Sequence, residues 1–225
     1  RVSDMYQQKL IKKKGLEWMR DVNQRQPNEL KRNQGTYHHS TMQNLIDYYA
    51  GNMPATKNNF EDIKRQAKFS PDTGKQIMTE TQWNVIHQNV KNTVKEIKKQ
   101  QRDIDKETGE KGKVVIKSEA MVYAPAEDRN KYYADTAGTV DVLAIFSDGS
   151  ASIYDWKFIS PRQVSGFGQK ARIMESPFGS KEDGYNMQIG AYKSILKQFY
   201  GVEKIRRSRI IPIHVQYKWE GMKGE

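Results

Sequence analysis

Two stretches rich in β-branched and aromatic residues, Thr139–Phe146 and Ser150–Phe158, stand on either side of Asp148-Gly149. An Asp-Gly pair between such stretches signals a hairpin, because its backbone readily takes the left-handed conformations that match strand twist. This hairpin constrains the fold more than any other feature, since it commits the middle of the chain to an antiparallel sheet. It also puts Asp141 on one strand and Asp155 on the next. Strand pairing can bring the two to neighbouring positions. Lys157 lies two residues beyond Asp155, and the period of two sends both side chains to one face.

The flanking elements follow from periodicity. Val114–Tyr123 alternates as a strand would. Before it, Thr81 to about Arg102 reads as the clearest helix, with Trp83, Ile86, Val90, Val94 and Ile97 at three- and four-residue steps and Lys, Asn and Gln opposite. Asp105–Gly112 reads as a charged turn. Further upstream, a helix over Asp4–Asn23 is followed by a break at Gln34-Gly35. A second helix then carries Met42, Leu45, Ile46 and Tyr49 on one face and ends at Gly51 and Pro54. Residues 52–80 read as loop and short helix. Past the hairpin, residues 160–186 form a long loop, Tyr185–Tyr200 a helix and Arg209–Tyr217 a last strand.

The order predicts an α/β or α+β fold, a mixed central sheet flanked by helices with an N-terminal helical lobe. The lobe occupies 1–112 and the core 113–225, together forming one compact domain. Arg1 in place of Met, and an end at Glu225 in no obvious element, suggest a piece of a longer protein.

Composition narrows the chemistry. The formal charge of +11 favours a polyanionic partner, since each neutralised phosphate releases counterions. Without cysteine, thiolate zinc and iron–sulfur sites are excluded, and any metal must bind through oxygen and imidazole. No apolar run nears the ~20 residues that cross a bilayer. No signal peptide is visible, so the expected location is cytoplasmic, with no membrane partner.

Two neighbouring carboxylates repel and are costly to desolvate unless a cation joins them. A hard divalent ion with oxygen ligands resolves the conflict, and a nearby lysine can then stabilise charge developing on a phosphate. Asp-x-Lys alone is common on strand surfaces and proves little.

Four elements together say more. The chain has Gly35-Thr-Tyr-His38-His39, Gly138-Thr-Val-Asp141, Asp155-Trp-Lys157 and Gln188-Ile-Gly-Ala-Tyr192, in that order. This resembles the PD-(D/E)xK nuclease superfamily, most closely its RecB-type exonuclease branch, over about residues 35–217. The resemblance implies a restriction-endonuclease-like fold and a Mg²⁺- or Mn²⁺-dependent deoxyribonuclease, an exonuclease on single-stranded DNA or DNA ends in recombination, repair or phage DNA processing. A bacterial or phage-infected cell and a helicase or other replication or recombination protein as partner belong to the same expectation. His39, Asp141, Asp155 and the backbone carbonyl of Trp156 are then metal ligands, and Lys157 is the catalytic lysine. Gln188 and Tyr192, one helical turn apart, hold the nucleic acid or brace the site.

Several alternatives stay open. His38 is an equally available imidazole, and only the Gly-x-x-x-His spacing favours His39. Tyr192 can be plain core. Glu119 is either an acidic residue supporting the site or a surface side chain. His87 reads as solvated. Val140 stands where the superfamily has its proline, and the stretch between Lys157 and Gln188 is long. Its Arg162, Lys170 and Arg172 are expected to contact nucleic acid from a flap, and Arg206, Arg207 and Arg209 are further candidates. Other readings are a catalytically inactive nuclease-fold DNA-binding or scaffold module, and an RNA endonuclease of the cap-snatching type.

Overall fold

A computed structural model describes residues 26–69, 76, 78–125, 136–159 and 181–214. The helix expected at Asp4–Asn23, the flap residues Arg162, Lys170 and Arg172, and the end of the last strand beyond His214 lie outside this set.

The described chain is mixed α+β. Three helices come first: α1 (Gln26–Ala50), α2 (Lys57–Lys68) and α3 (Glu80–Thr108). Strands β1 (Val115–Ala124), β2 (Thr136–Ile145) and β3 (Ala151–Ile159) follow, then α4 (Lys181–Phe199) and β4 (Ile205–His214). The sheet order is β1-β2-β3-β4, antiparallel for the first two pairs and parallel for β3 with β4. Helices α1, α2 and α3 cover one face, and α4 covers the other.

The long helix has the sequence features of a stable one. Thr79 and Gln82 form a reciprocal capping box at its start, and Gly109 ends it in the left-handed region at φ 75°. It therefore runs six residues beyond the expected Arg102, and Asp105–Thr108 is its last turn rather than a loop. Asp105 stays helical because its carboxylate accepts from Gln101 Nε2 at 2.7 Å and from the Gly112 amide at 2.9 Å. The expected break at Gln34-Gly35 is absent: α1 runs through it. An interior glycine costs a helix only about 1 kcal/mol, and burial of Met42, Leu45 and Ile46 further along offsets that.

The hairpin forms as predicted. Phe146 N–H donates to Ser150 at 2.9 Å, and Gly149 sits at φ 77°. Arg206 on β4 clamps the turn, donating to Asp148 at 2.6 Å and to Ser150 Oγ at 2.7 Å. Burial opposes those bonds at Asp148, and the bonds win: its carboxyl is lowered to about 2. Arg206 is thus part of the hairpin's frame. Arg207 and Arg209 both reach Glu96 on α3, at 2.5 and 3.2 Å. His87 is not simply solvated: its ring lies near-parallel to those of Tyr49 and Trp83 and is hydrogen-bonded to the Tyr49 hydroxyl.

Two irregularities in the sheet shape its surface near Asp141. Strands β2 and β3 pair only from Ile145↔Ala151 to Val142↔Tyr154. Beyond that, β2 continues beside β1 and β3 beside β4, so the sheet forks. On β1 and β2 the side-chain alternation also reverses. Ile116 packs with α1 and α3, and Ser118 donates to Asp47 of α1, whereas Ala120, Val122 and Ala124 pack with α4. Likewise Val142 and Ala144 face the α1–α3 side while Val140 faces α4. Register is kept across the reversal, from Ser118↔Val142 to Ala120↔Val140. Both strands therefore turn over together at Glu119 and Asp141. The means is Glu119, whose φ of 47° is the one positive value among described non-glycine residues.

Candidate metal centre

The fork and the reversal meet at the same residue. Asp141 is the first β2 residue past the last β2–β3 pair. With no ladder partner opposite, the Trp156 amide donates to Asp141 Oδ2 at 2.6 Å instead. The side chain takes over a bond that the sheet has given up. This satisfies one carboxylate oxygen and turns the other toward α1.

There it meets His39. Nδ1 lies 3.7 Å from Asp141 Oδ1 and 3.6 Å from Glu119 Oε1. One ligand atom from each of His39, Glu119 and Asp141 lies within 4.8 Å of the others. The ambiguity between the two histidines is resolved by burial. His38 is buried against the Phe158 ring, 4.8 Å between centroids, and burial together with neighbouring His39 lowers its pKa to about 4. His39 stays about one-third exposed and faces the acids. Contact with the Glu119 carboxylate raises its pKa against the effect of burial, with Asp141 adding to the rise. At 3.6 Å that contact is electrostatic rather than a full hydrogen bond.

Glu119 thus belongs to the cluster itself, not to a supporting layer. Its place on the strand preceding the hairpin was visible in the sequence. The turn-over that aims it at His39 was not.

Asp155 takes a different place from the one expected. Its buried Oδ2 lies 2.6 Å from Lys157 Nζ, at an approach angle outside hydrogen-bond geometry, so charge attraction is the contact. It is close enough to Asp141 to act on it: burial first, and the Asp155 charge second, raise the Asp141 carboxyl to about 6. The Trp156 amide, His39 and Lys157 pull the other way. The Trp156 backbone contributes through its N–H to Asp141, where the carbonyl had been expected to serve a metal.

On the α4 side, Tyr185, Gln188 and Tyr192 follow one another at three- and four-residue steps along the helix. Lys157 Nζ lies 3.4 Å from Gln188 Oε1 and 4.8 Å above the centre of the Tyr185 ring. Gln188 Nε2 donates to the Tyr192 hydroxyl at 2.7 Å. Tyr192 is also core, packed with Val122, Val140 and Ile195. Its ring is buried while its hydroxyl joins the polar chain. A Cβ at Gly138 would lie 2.4 Å from Tyr192 Cε1, so the ring occupies the space that the glycine leaves. Tyr185 was missed by sequence reasoning, and only its position three residues before Gln188 could have signalled it.

An imidazole and two carboxylates form a mixed N/O donor set of the kind that holds a hard divalent cation. Burial and then the Asp155 charge raise Asp141, and such an ion would offset both. No protein-family model, no curated protein and no solved structure matches the chain. Among the described residues no helix is long and apolar enough to cross a membrane.

Proposed function

We propose that this chain is a divalent-cation-dependent nuclease with a restriction-endonuclease-like fold, of the PD-(D/E)xK kind, acting on DNA. The observation that carries the reading is the meeting of His39, Glu119 and Asp141 at the sheet fork, with the Asp155–Lys157 pair adjoining. His39, Glu119 and Asp141 would hold Mg²⁺ or Mn²⁺, with the Asp155 charge, which acts on Asp141, adjoining them. Such an ion supplies charge neutralisation at a phosphate and activates water for attack.

The chain's own residues account for the rest. The Trp156 amide fixes the Asp141 carboxylate so that one oxygen faces the cluster. Asp155, Gln188 and the Tyr185 ring hold the Lys157 ammonium beside the acids, as a donor toward charge developing on phosphate oxygen. Tyr192 braces Gln188. The charge of +11 supports a polyanionic substrate. Action on single-stranded DNA or DNA ends rests on the motif resemblance, as does association with a helicase.

A second reading, an RNA endonuclease, gains support from Glu119. Its entry into the cluster gives a His, Glu, Asp and Lys set similar to that of cap-snatching enzymes. End-labelled single-stranded DNA, duplex DNA and RNA, incubated with Mg²⁺, Mn²⁺ or chelator, decide between the two. Cation-dependent DNA cleavage that disappears in Asp155→Ala is expected. Cleavage of RNA alone would replace the first reading with the second, and full activity in Asp155→Ala would overturn both.

A further inference from the structure

Helix α3 carries a feature that the candidate metal centre does not use. Lys91, Lys95, Lys98, Lys99, Arg102 and Lys106 are all exposed and recur at three- and four-residue steps. At 100° per residue they fall on one stripe. The stripe lies opposite the buried face of Trp83, Ile86, Val90, Val94, Ile97 and Ile104. From Lys91 to Lys106 it spans ~22 Å at 1.5 Å per residue.

One acid, Asp103, stands at its edge, one turn from Lys99 and from Lys106, against six cations, and it forms no ion pair among the described residues. The other carboxylates of this helix are turned elsewhere: Glu80 to Lys64 and Lys68, Glu96 to Arg207 and Arg209, Asp105 to the Gly112 amide, and Glu107 toward Arg206. Lys98 donates to the Tyr49 carbonyl at 2.7 Å. The other five cations form no ion pair among the described residues. Four like-charge pairs stand one turn apart, at 91/95, 95/99, 98/102 and 102/106, a spacing at which cations destabilise a helix. A bound polyanion would remove that repulsion.

We propose that this ridge is a contact surface for the phosphate backbone of a nucleic acid duplex, separate from the metal centre. Its length matches ~6 phosphates of one B-form strand at 3.4 Å each. The remaining uncharged exposed positions on the face are Thr81, Asn84, Gln88 and Asn92, all polar. Without an aromatic side chain among them, unpaired bases have nothing to stack on, which favours a duplex over a single strand. Without an apolar one, nothing enters a lipid surface. Contact of this kind reads charge and shape, not sequence.

The test needs no cleavage and does not depend on the nuclease reading. Binding of the full chain to a blunt duplex of ~20 base pairs is measured in chelator across a salt series, where each neutralised phosphate contributes about −0.9 to the slope of log K against log salt. Replacing Lys95, Lys99, Arg102 and Lys106 together by Gln, with helicity checked by circular dichroism, should flatten that slope by ~3 to 4. A control with Lys57, Lys111, Lys113 and Lys204 changed to Gln should leave it unaltered. The inference is overturned if the two variants behave alike, if the chain does not bind the duplex, or if the ridge variant loses binding to anionic phospholipid vesicles while keeping the wild-type duplex slope. A chain that cuts DNA with an unaltered slope in the ridge variant would sink the ridge alone. The expected change in slope without any cleavage would sink the nuclease alone.

Discussion

Asp141 is held at a cost when no cation neutralises it. Its carboxyl is raised from 3.8 to about 6, chiefly by burial and then by Asp155. Between those values the folded state keeps a proton that the unfolded chain has lost. Stability therefore falls as pH rises through that window, and the full penalty is present above it. At 1.36 kcal/mol per pKa unit the penalty is of the order of 3 kcal/mol. Asp141→Asn keeps an acceptor for the Trp156 amide and removes the charge. In chelator it should raise the melting temperature at pH 8 but not near pH 4, while abolishing cleavage. Thermal unfolding of both proteins across pH checks this, and equal shifts at the two pH values would refute it. At the same scale, Lys157→Ala should lower cleavage on the order of 10²- to 10³-fold, the usual loss for one donor to developing charge. The circular dichroism spectrum should stay native, because Lys157 is not part of either apolar core.

At the scale of elements, the sheet turns over where β1 and β2 pass the cluster, and Glu119 takes the backbone strain. A non-glycine residue in the left-handed region costs roughly 1 kcal/mol or more. Glu119→Gly should therefore be more stable than Glu119→Ala by about that amount, although both lose the carboxylate. Denaturant titration of the pair measures the difference. Gly138→Ala would drive Tyr192 from its place and disturb the Gln188–Lys157 contact. It should cost about 1–3 kcal/mol, the range for overpacking a filled core. Much of this level could be read from the sequence, because the hairpin, the long helix and the Asp155/Lys157 pairing all follow from local periodicity and turn chemistry. What escaped was long-range. The choice between His38 and His39 depends on which face α1 buries. The promotion of Glu119 depends on a single unusual φ, and the Asp141–Trp156 bond depends on two strands parting. Of these only the first leaves a mark in local spacing, through the Gly-x-x-x-His pattern that favours His39. The break expected at Gly35 failed for a related reason, since helix propensity is small beside tertiary burial.

For the whole molecule, the split at residue 112 does not divide the packing. One apolar core joins Met42, Leu45 and Ile46 of α1 and Trp83, Ile86 and Val90 of α3 to Ile116, Val142, Tyr154 and Trp156 of the sheet. A chain of residues 113–225 would expose the sheet side of that core. It should fail to fold alone, and the full chain should melt in a single transition seen equally by near- and far-ultraviolet circular dichroism. A separate early transition for the helical part would contradict this.

The imidazole that closes the cluster comes from the first described helix, while its acidic partners come from β1 and β2, roughly eighty and a hundred residues later in the chain. A growing polypeptide therefore carries these groups as scattered side chains, and they come together only when the helix that bears His39 docks on the sheet. On the nuclease reading, cutting power arrives with the finished tertiary structure, so a half-built copy cannot nick the nucleic acid around it.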